Sequence, residues 1–148
     1  MRALVQRITY SSLKVDGELK AKTGKGLIVY LGVKKGDSEE EVEYVAKKVA
    51  GLRVFEDEQG KMNLSVKDVG GEILAVSQFT LYGDTKKGFR PSFFDAEEPN
   101  LANELFELFK EKVRVQGIHV ESGIFGADMK IEYLNDGPVS VMIEKERQ

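Results

Sequence analysis

Two short segments hold the residues on which chemistry would turn. Ser77-Gln78-Phe79-Thr80-Leu81 ends an apolar run in hydroxyl and amide groups, and Asn135-Asp136-Gly137-Pro138-Val139-Ser140 sets a Gly-Pro bond ahead of the last strand-like stretch. Thr80 carries a hydroxyl that is a nucleophile only beside a base; its other reading is a strand-end hydroxyl that hydrogen-bonds locally. Ser77 has the same two readings, catalysis or orientation of a pocket. The chain has one histidine, His119, and no cysteine. His119 lies between Ile118 and Val120 at the start of a strand, away from both segments, and reads as a structural or surface residue. A Ser-His-Asp triad would have to use it. Thiolate catalysis and cysteine-ligated metals are excluded, and a zinc site is not expected from a single histidine. No Asp/Glu group has a recognisable ligand spacing, and Asp84, Asp128 and Asp136 read as turn formers. The expectation is a site with no metal and no cofactor. Such a site relies on orientation and on backbone N–H groups that stabilise an oxyanion, here at the end of the strand that carries Ser77. It suits an easy reaction, or a substrate that contributes a group of its own.

The elements that must position these segments are mostly strands. The apolar stretch Ile73 to Leu81 reads as one strand. Gly26-Leu27-Ile28-Val29-Tyr30-Leu31-Gly32-Val33 is continuously apolar and reads as a central strand buried on both faces. Asp16-Gly17 between Val15 and Glu18 is a type I′ hairpin signal. Leu52 to Phe55 and Met62 to Leu64 flank a turn at Glu58-Gln59-Gly60, and further strands are expected at Ile118–Ser122, Met129–Leu134 and Val139–Glu144. Two segments read as amphipathic packing helices. Ser38 to Ala50 opens with a Ser38-x-x-Glu41 capping box, puts Val42, Val45, Ala46 and Val49 on one face, and is followed by Gly51. The second runs from about Pro99 to Gln116, with Leu101, Leu105, Leu108, Phe109 and Lys112 at helical spacing and Gly117 closing it. The fold class expected is α/β: a mixed, strongly curved or partly closed β-sheet with two main helices packed outside.

A chain of 148 residues is read as a single domain, residues 1–148, large enough for a sizeable core. No internal repeat, linker or low-complexity tract is visible. No apolar stretch approaches the ~20 residues of a membrane span, and the start turns polar too soon for a signal peptide. The expected location is cytoplasmic, with no membrane partner. The net charge is −3, so any contact with RNA must use a local basic patch. Lys86, Lys87 and Arg90 follow the first segment, and read either as a solvated face or as a phosphate clamp. Lys34-Lys35 and the Lys20, Lys22, Lys25 group are weaker candidates.

The two segments resemble the signature motifs of the D-aminoacyl-tRNA deacylases, SQFTL and NxGPxT. The resemblance extends to Arg7 after Val5-Gln6, to Asp84-Thr85-Lys86-Lys87-Gly88, and to Gly123-Ile124-Phe125-Gly126-Ala127-Asp128-Met129. The four segments occur in order and span essentially the whole chain. Two positions depart from the pattern. Ser140 stands where the motif has Thr, keeping a hydroxyl and losing a methyl, and Phe89 is bulkier than the small or polar residue expected there.

The resemblance implies a curved mixed sheet and a homodimer that hydrolyses D-aminoacyl-tRNA. An aminoacyl ester is activated and carries a neighbouring ribose hydroxyl, so the substrate helps its own hydrolysis. By resemblance the oxyanion falls on the amides around Gln78, Phe79 and Thr80. Phe79 is read as core or as a wall for the terminal adenine. Phe125 and Met129, whose default reading is core, are implied to line the substrate pocket, and Ala102 is a weaker candidate for it. Base rates favour a trans Gly137-Pro138 bond, whereas the resemblance implies a cis one. Its parallel carbonyls then hold the substrate α-ammonium, and the dipeptide reaches into the partner subunit's site. An L side chain meets backbone, a D side chain points to solvent, and glycine is poorly rejected. Arg7 is implied to brace this dipeptide, its other reading being a surface arginine on an edge strand. Two rival readings remain: a non-catalytic nucleic-acid-binding homodimer, disfavoured by the net acidity and the lack of an aromatic-basic stacking pattern, and an editing deacylase for mischarged L-aminoacyl-tRNA.

Overall fold

The computed structural model describes residues 1–146. Its main sheet has six strands: β1 (Arg2–Val15), β2 (Glu18–Thr23), β3 (Gly26–Gly32), β6 (Glu72–Ser77), β7 (His119–Ser122) and β8 (Met129–Glu144). Between β3 and β6 come the helix α1 (Glu39–Gly51) and a small ribbon of β4 (Phe55–Glu56) and β5 (Met62–Leu64); α2 (Pro99–Arg114) precedes β7. The sheet order is β2-β1-β3-β6-β7, with β8 on the other side of β1. β1 runs antiparallel to β2, β3 and β8, and β3–β6 and β6–β7 are parallel. The sheet is therefore mixed and curls until β2 approaches β7, where the Lys22 N–H donates to Glu121 Oε1 at 3.1 Å. The expected architecture is the observed one: a nearly closed sheet with two helices outside.

Strand parity divides the apolar residues between two cores. Leu27, Val29 and Leu31 of β3 and Ile73 and Ala75 of β6 face the helices, packing with Val42, Val45, Phe106 and Phe109. The alternate residues Ile28, Leu74 and Val76 face the inside of the curl with Ile8 and Leu13. Both sheet faces are dry, which is why β3 is continuously apolar. Local signals are satisfied as the sequence requires. The Ser38/Glu41 capping box is present, with Glu41 Oε1 accepting from the Ser38 N–H at 2.9 Å. At α2 the Glu98 carboxylate accepts from the N–H groups of Asn100 and Leu101, and Pro99 fills the first position. Asp16 and Gly17 both have positive φ (52° and 79°), as a type I′ turn demands.

Several expected boundaries move. The strand from Ile73 ends at Ser77, and Phe79–Tyr82 forms a 3-10 turn. The two strands expected at the end are one, β8, interrupted by a bulge. Leu52 caps α1, and Gly51 lies inside it. Only Phe55 and Glu56 of the Leu52–Phe55 region pair. α2 ends at Arg114; its buried face is Ala102, Leu105, Phe106, Phe109 and Val113, and Lys112 instead forms ion pairs with Glu39 and Glu43. Among the described residues, no helix is long and apolar enough to cross a membrane.

Gly26 is where β3 and β6 approach most tightly: a Cβ there would lie 1.8 Å from the Glu72 carbonyl oxygen. Gly26→Ala is expected to cost about 3 kcal/mol or more, because main chain rather than a movable side chain must give way. Gly51→Ala, with open space around it, should gain about 0.4–1 kcal/mol. Urea denaturation of the two variants checks both signs.

Candidate functional site

The first motif sits where the β3–β6 pairing runs out. The Gln78 N–H donates to Leu31 O at 2.8 Å, the last rung of the parallel pair, and the chain then coils into the 3-10 turn. Gly32 makes room for this turn: a Cβ there would lie 3.1 Å from both Gln78 O and Leu81 Cβ. Arg2 holds the turn to β1, donating from Nη1 to Leu81 O at 2.9 Å and lying 4.5 Å from the centre of the Tyr82 ring. Because the Gln78 N–H is spent on the sheet, it is not an oxyanion donor, contrary to the expectation from sequence. The leading amides of the turn, Phe79 and Thr80, have no acceptor inside so short a turn.

A cleft of about 410 Å³ opens beside this turn. Ser77, Gln78 and Phe79 form one wall, Ala102 of α2 another, and Phe125 and Met129 a third. Sequence reasoning missed Val76 and Ile131 in its lining; both look like ordinary core residues, and Val76 is in fact buried, meeting the cleft only at its floor. Phe79 is not core. It is 55% exposed and stands edge-on to Phe93 with ring centres 5.0 Å apart. Thr80 does not line the cleft. Its Oγ1 accepts a hydrogen bond from Gln78 Nε2, an amide donor that cannot take a proton.

The second motif lies elsewhere on the same chain. Gln6 pairs with Ser140 and Ile8 with Asn135, so Arg7 alone faces the four residues Asp136–Val139, a pronounced bulge. The Gly137-Pro138 bond at its tip is cis, and both residues are exposed. Arg7 is 7% exposed and braces the bulge from beneath. Its Nη1 donates to Val54 O at 2.7 Å, its Nε donates to Asp136 O at 3.1 Å, and Nε lies 3.3 Å from Asp136 Oδ2. Asn135 Nδ2 closes the bulge by donating to Arg7 O and Val139 O. Arg7 is therefore not a surface residue on an edge strand, and Asp136 does more than shape a turn. The Ser140 hydroxyl accepts from Gln6 Nε2 at 2.9 Å, and the residue is exposed, so no packing gap is left where a Thr methyl would be. Neither Gly137 nor Pro138 nor Arg7 lines the 410 Å³ cleft of its own chain.

The remaining expected residues scatter. Lys86, Lys87 and Arg90 are exposed on the loop after the 3-10 turn, and Asp84 Oδ1 accepts the Lys86 N–H at 2.9 Å as a turn former does. Asp128 lines the cleft and pairs with Lys130. His119 is on the far rim of the sheet, its Nε2 2.9 Å from Glu121 Oε2 and 3.6 Å from Glu72 Oε2. That hydrogen bond holds the Glu121 carboxyl below the usual carboxylate range. Tyr30 donates to Tyr133 and Tyr133 to Gln6 inside the curl, and burial pushes the Tyr30 hydroxyl well above the usual phenol range. Among the described residues, Asp128 is the one titratable side chain that lines the cleft, and it is exposed and paired with Lys130.

The fold and the cleft together define a class: a small, curled mixed-sheet protein whose cleft is lined by apolar walls and the polar residues Ser77, Gln78 and Asp128. The comparisons agree with that outline. Residues 4–144 match the family model described as D-Tyr-tRNA(Tyr) deacylase. The D-aminoacyl-tRNA deacylase of Desulfitobacterium hafniense (strain DSM 10664 / DCB-2) is 53% identical over 147 residues, 99% of each chain. That of Koribacter versatilis (strain Ellin345) is 51% identical over 148 residues, covering 100% of this chain and 99% of its own. A solved structure titled "c-Myc DNA Unwinding Element Binding Protein" superposes with a TM-score of 0.93 at 40% identity, covering 99% of this chain and 100% of that one. A "probable eukaryotic D-amino acid tRNA deacylase" gives 0.80 at 19% identity, covering 96% and 97%, a likeness of fold. The chain belongs to the D-Tyr-tRNA(Tyr) deacylase family.

Gly137 has φ +127°, and a Cβ there would sit 2.9 Å from Arg7 Nη2 and 2.8 Å from Val139 Cγ2. Gly137→Ala is expected to destabilise the fold by about 1–3 kcal/mol. Thermal unfolding measures this, and a shift of under 1 °C would show that the bulge relaxes without disturbing Arg7.

Proposed function

We propose that this protein hydrolyses the ester of D-aminoacyl-tRNA, and of glycyl-tRNA more slowly, as a homodimer in which each Gly137-Pro138 bulge completes the cleft of the other subunit. The observation that carries the reading is the separation of the two motifs. One builds a cleft open to solvent and the other an exposed, braced knob that lies outside that cleft on the same chain. A second copy reconciles them. Leu134 and Met142, both on β8 with the knob, are exposed apolar residues suited to such a contact.

In this mechanism the aminoacyl ester lies in the cleft between Phe79, Phe125 and Met129, with Ala102 small enough to leave room. The partner subunit's knob presents carbonyl oxygens to the α-ammonium. The three groups on Cα then have fixed directions, and an L side chain runs into main chain. Water attacks the ester carbonyl, and the Phe79 and Thr80 N–H groups stabilise the oxyanion. The substrate 2′-hydroxyl assists, since the cleft holds no histidine or thiol and its one carboxylate, Asp128, is paired with Lys130. Ser77 and Gln78 orient the turn; Lys86, Lys87 and Arg90 hold acceptor-stem phosphates. No cofactor takes part. Glycine, with only hydrogens on Cα, escapes the steric test.

The experiment is deacylation of matched D-, L- and glycyl-tRNAs. D-substrate is expected to be hydrolysed at least 10²-fold faster than L, on the scale of one well-used steric or polar discrimination. Faster L than D hydrolysis would instead make the protein an editor of mischarged L-substrates. Thr80→Ala should retain deacylation within about tenfold, because its amide remains; total loss with intact folding would return Thr80 to the role of nucleophile. Mixed dimers test the shared site. A chain carrying Ala102→Trp and a chain carrying Gly137→Ala should each be inactive as homodimers, and mixing them should restore one intact site per heterodimer.

A further inference from the structure

The loop between the 3-10 turn and α2 carries interleaved basic and aromatic residues, Lys86-Lys87-Gly88-Phe89-Arg90-Pro91-Ser92-Phe93-Phe94, and is joined by Lys35, which is distant in sequence. It is pinned at several points: Asp84 and Ser92 exchange N–H donors at 2.8 Å each, the Lys35 N–H donates to Asp95 O at 2.9 Å, and the Glu97 N–H donates to Val33 O at 3.0 Å. On this fixed base Phe94 is 76% exposed, and Phe89 wholly so. Lys35, from the loop after β3, lies 3.8 Å from the centre of the Phe94 ring. A second cleft of about 380 Å³ is bounded by Phe94, Lys87, Arg90, Ser92, Asp84 and Asp95. Phe93, which precedes Phe94, packs on Phe79 of the first cleft, so the aromatic residues Phe79, Phe93 and Phe94 link the neighbourhoods of the two clefts.

Exposed phenylalanines with cations beside them on a rigid loop are what an unpaired nucleic-acid strand needs: faces on which bases stack and charges that track phosphates. The expectation that the chain has no aromatic-basic stacking pattern is thereby corrected: residues 86–94 carry one, with Phe89 and Phe94 exposed. The two carboxylates do not favour phosphate, but Asp84 and Asp95 suit the exocyclic amines of cytosine, which carboxylates accept. We propose that Phe94, backed by Lys35 and flanked by Lys87 and Arg90, is a stacking platform for the unpaired acceptor-strand nucleotides that precede the terminal adenosine. This rests on the D-aminoacyl-tRNA reading, with the ester in the cleft at Phe79. The platform takes the next bases in the direction Phe79, Phe93, Phe94. Phe89, projecting from the same loop, is placed to meet the strand further on.

The test uses the full-length protein with Phe94→Ala and Phe94→Trp. D-aminoacyl-tRNA and D-aminoacyl-adenosine, which lacks the preceding nucleotides, are assayed in parallel, and binding of uncharged tRNA is measured by fluorescence anisotropy. Phe94→Ala is expected to raise KM for D-aminoacyl-tRNA and Kd for uncharged tRNA by about 5- to 150-fold, the loss of one base–aromatic stack. Phe94→Trp should stay within threefold of wild type. KM for D-aminoacyl-adenosine should not move. An unchanged KM for tRNA in Phe94→Ala overturns the proposal, as does an equal loss on D-aminoacyl-adenosine. So does a change of oligomeric mass by light scattering, which would make the patch a protein contact. If the wild type hydrolyses neither ester, the deacylase reading fails by itself. The anisotropy series then decides the platform alone: weaker tRNA binding by Phe94→Ala supports it, and unchanged binding overturns it.

Discussion

The pairing of β3 with β6 governs the rest of the molecule. Gly26 permits a main-chain approach that no side chain would allow, and from there the register runs unbroken to Leu31 and Ser77. Because successive side chains point to opposite faces, that single register sends Ile73 and Ala75 to the helices and Leu74 and Val76 into the curl. A slip of one residue would exchange the two sets. The last rung, Gln78 N–H to Leu31 O, also decides where the sheet stops and the 3-10 turn begins. The candidate cleft lies where the sheet stops, at the seam where both cores end.

The bulge in β8 is the second device, and its logic is electrostatic. Arg7 is nearly buried, and a buried guanidinium is tolerated only when its donors are satisfied. Val54 O and both the carbonyl and carboxylate of Asp136 satisfy it, so the charge ties the bulge to the body of the sheet. Asn135 fastens the same bulge from its other end. A protruding loop of four residues is thereby held as firmly as a strand. Rigidity of this kind is what a site needs when orientation, rather than a reactive side chain, does the catalysis.

The same economy explains the chemistry available. The lone histidine is on the far rim with Glu72 and Glu121, and the nearest partner of Thr80 is a donor. The cleft holds main chain and the polar side chains Ser77, Gln78 and Asp128 between apolar walls. Such surroundings strengthen amide-to-oxyanion contacts, which act in a low local dielectric.

Much was legible in the sequence because it is local. The capping box at Ser38, the Asp16-Gly17 turn, the continuous apolar β3 and the apolar face of α1 follow from residue type and period alone; on α2 the period found Leu105 and Phe109 but put Lys112, an ion-pairing residue, on the apolar face. The two motifs were legible by resemblance, including the clustering of Ser77, Phe79, Phe125, Met129 and Ala102. What sequence could not settle is non-local. The strand through the first motif stops at Ser77 because Leu31 O is there to take its last N–H, and a 3-10 turn follows. The two final strands are one because Arg7, 129 residues away from Asp136, holds the interruption as a bulge. Lys35 meets Phe94 only once two loops are pinned together. Sequence period determined which faces are apolar; tertiary contact decided which hydrogen-bond donors are spent and which remain, since a donor's partner is set by distance in space rather than along the chain.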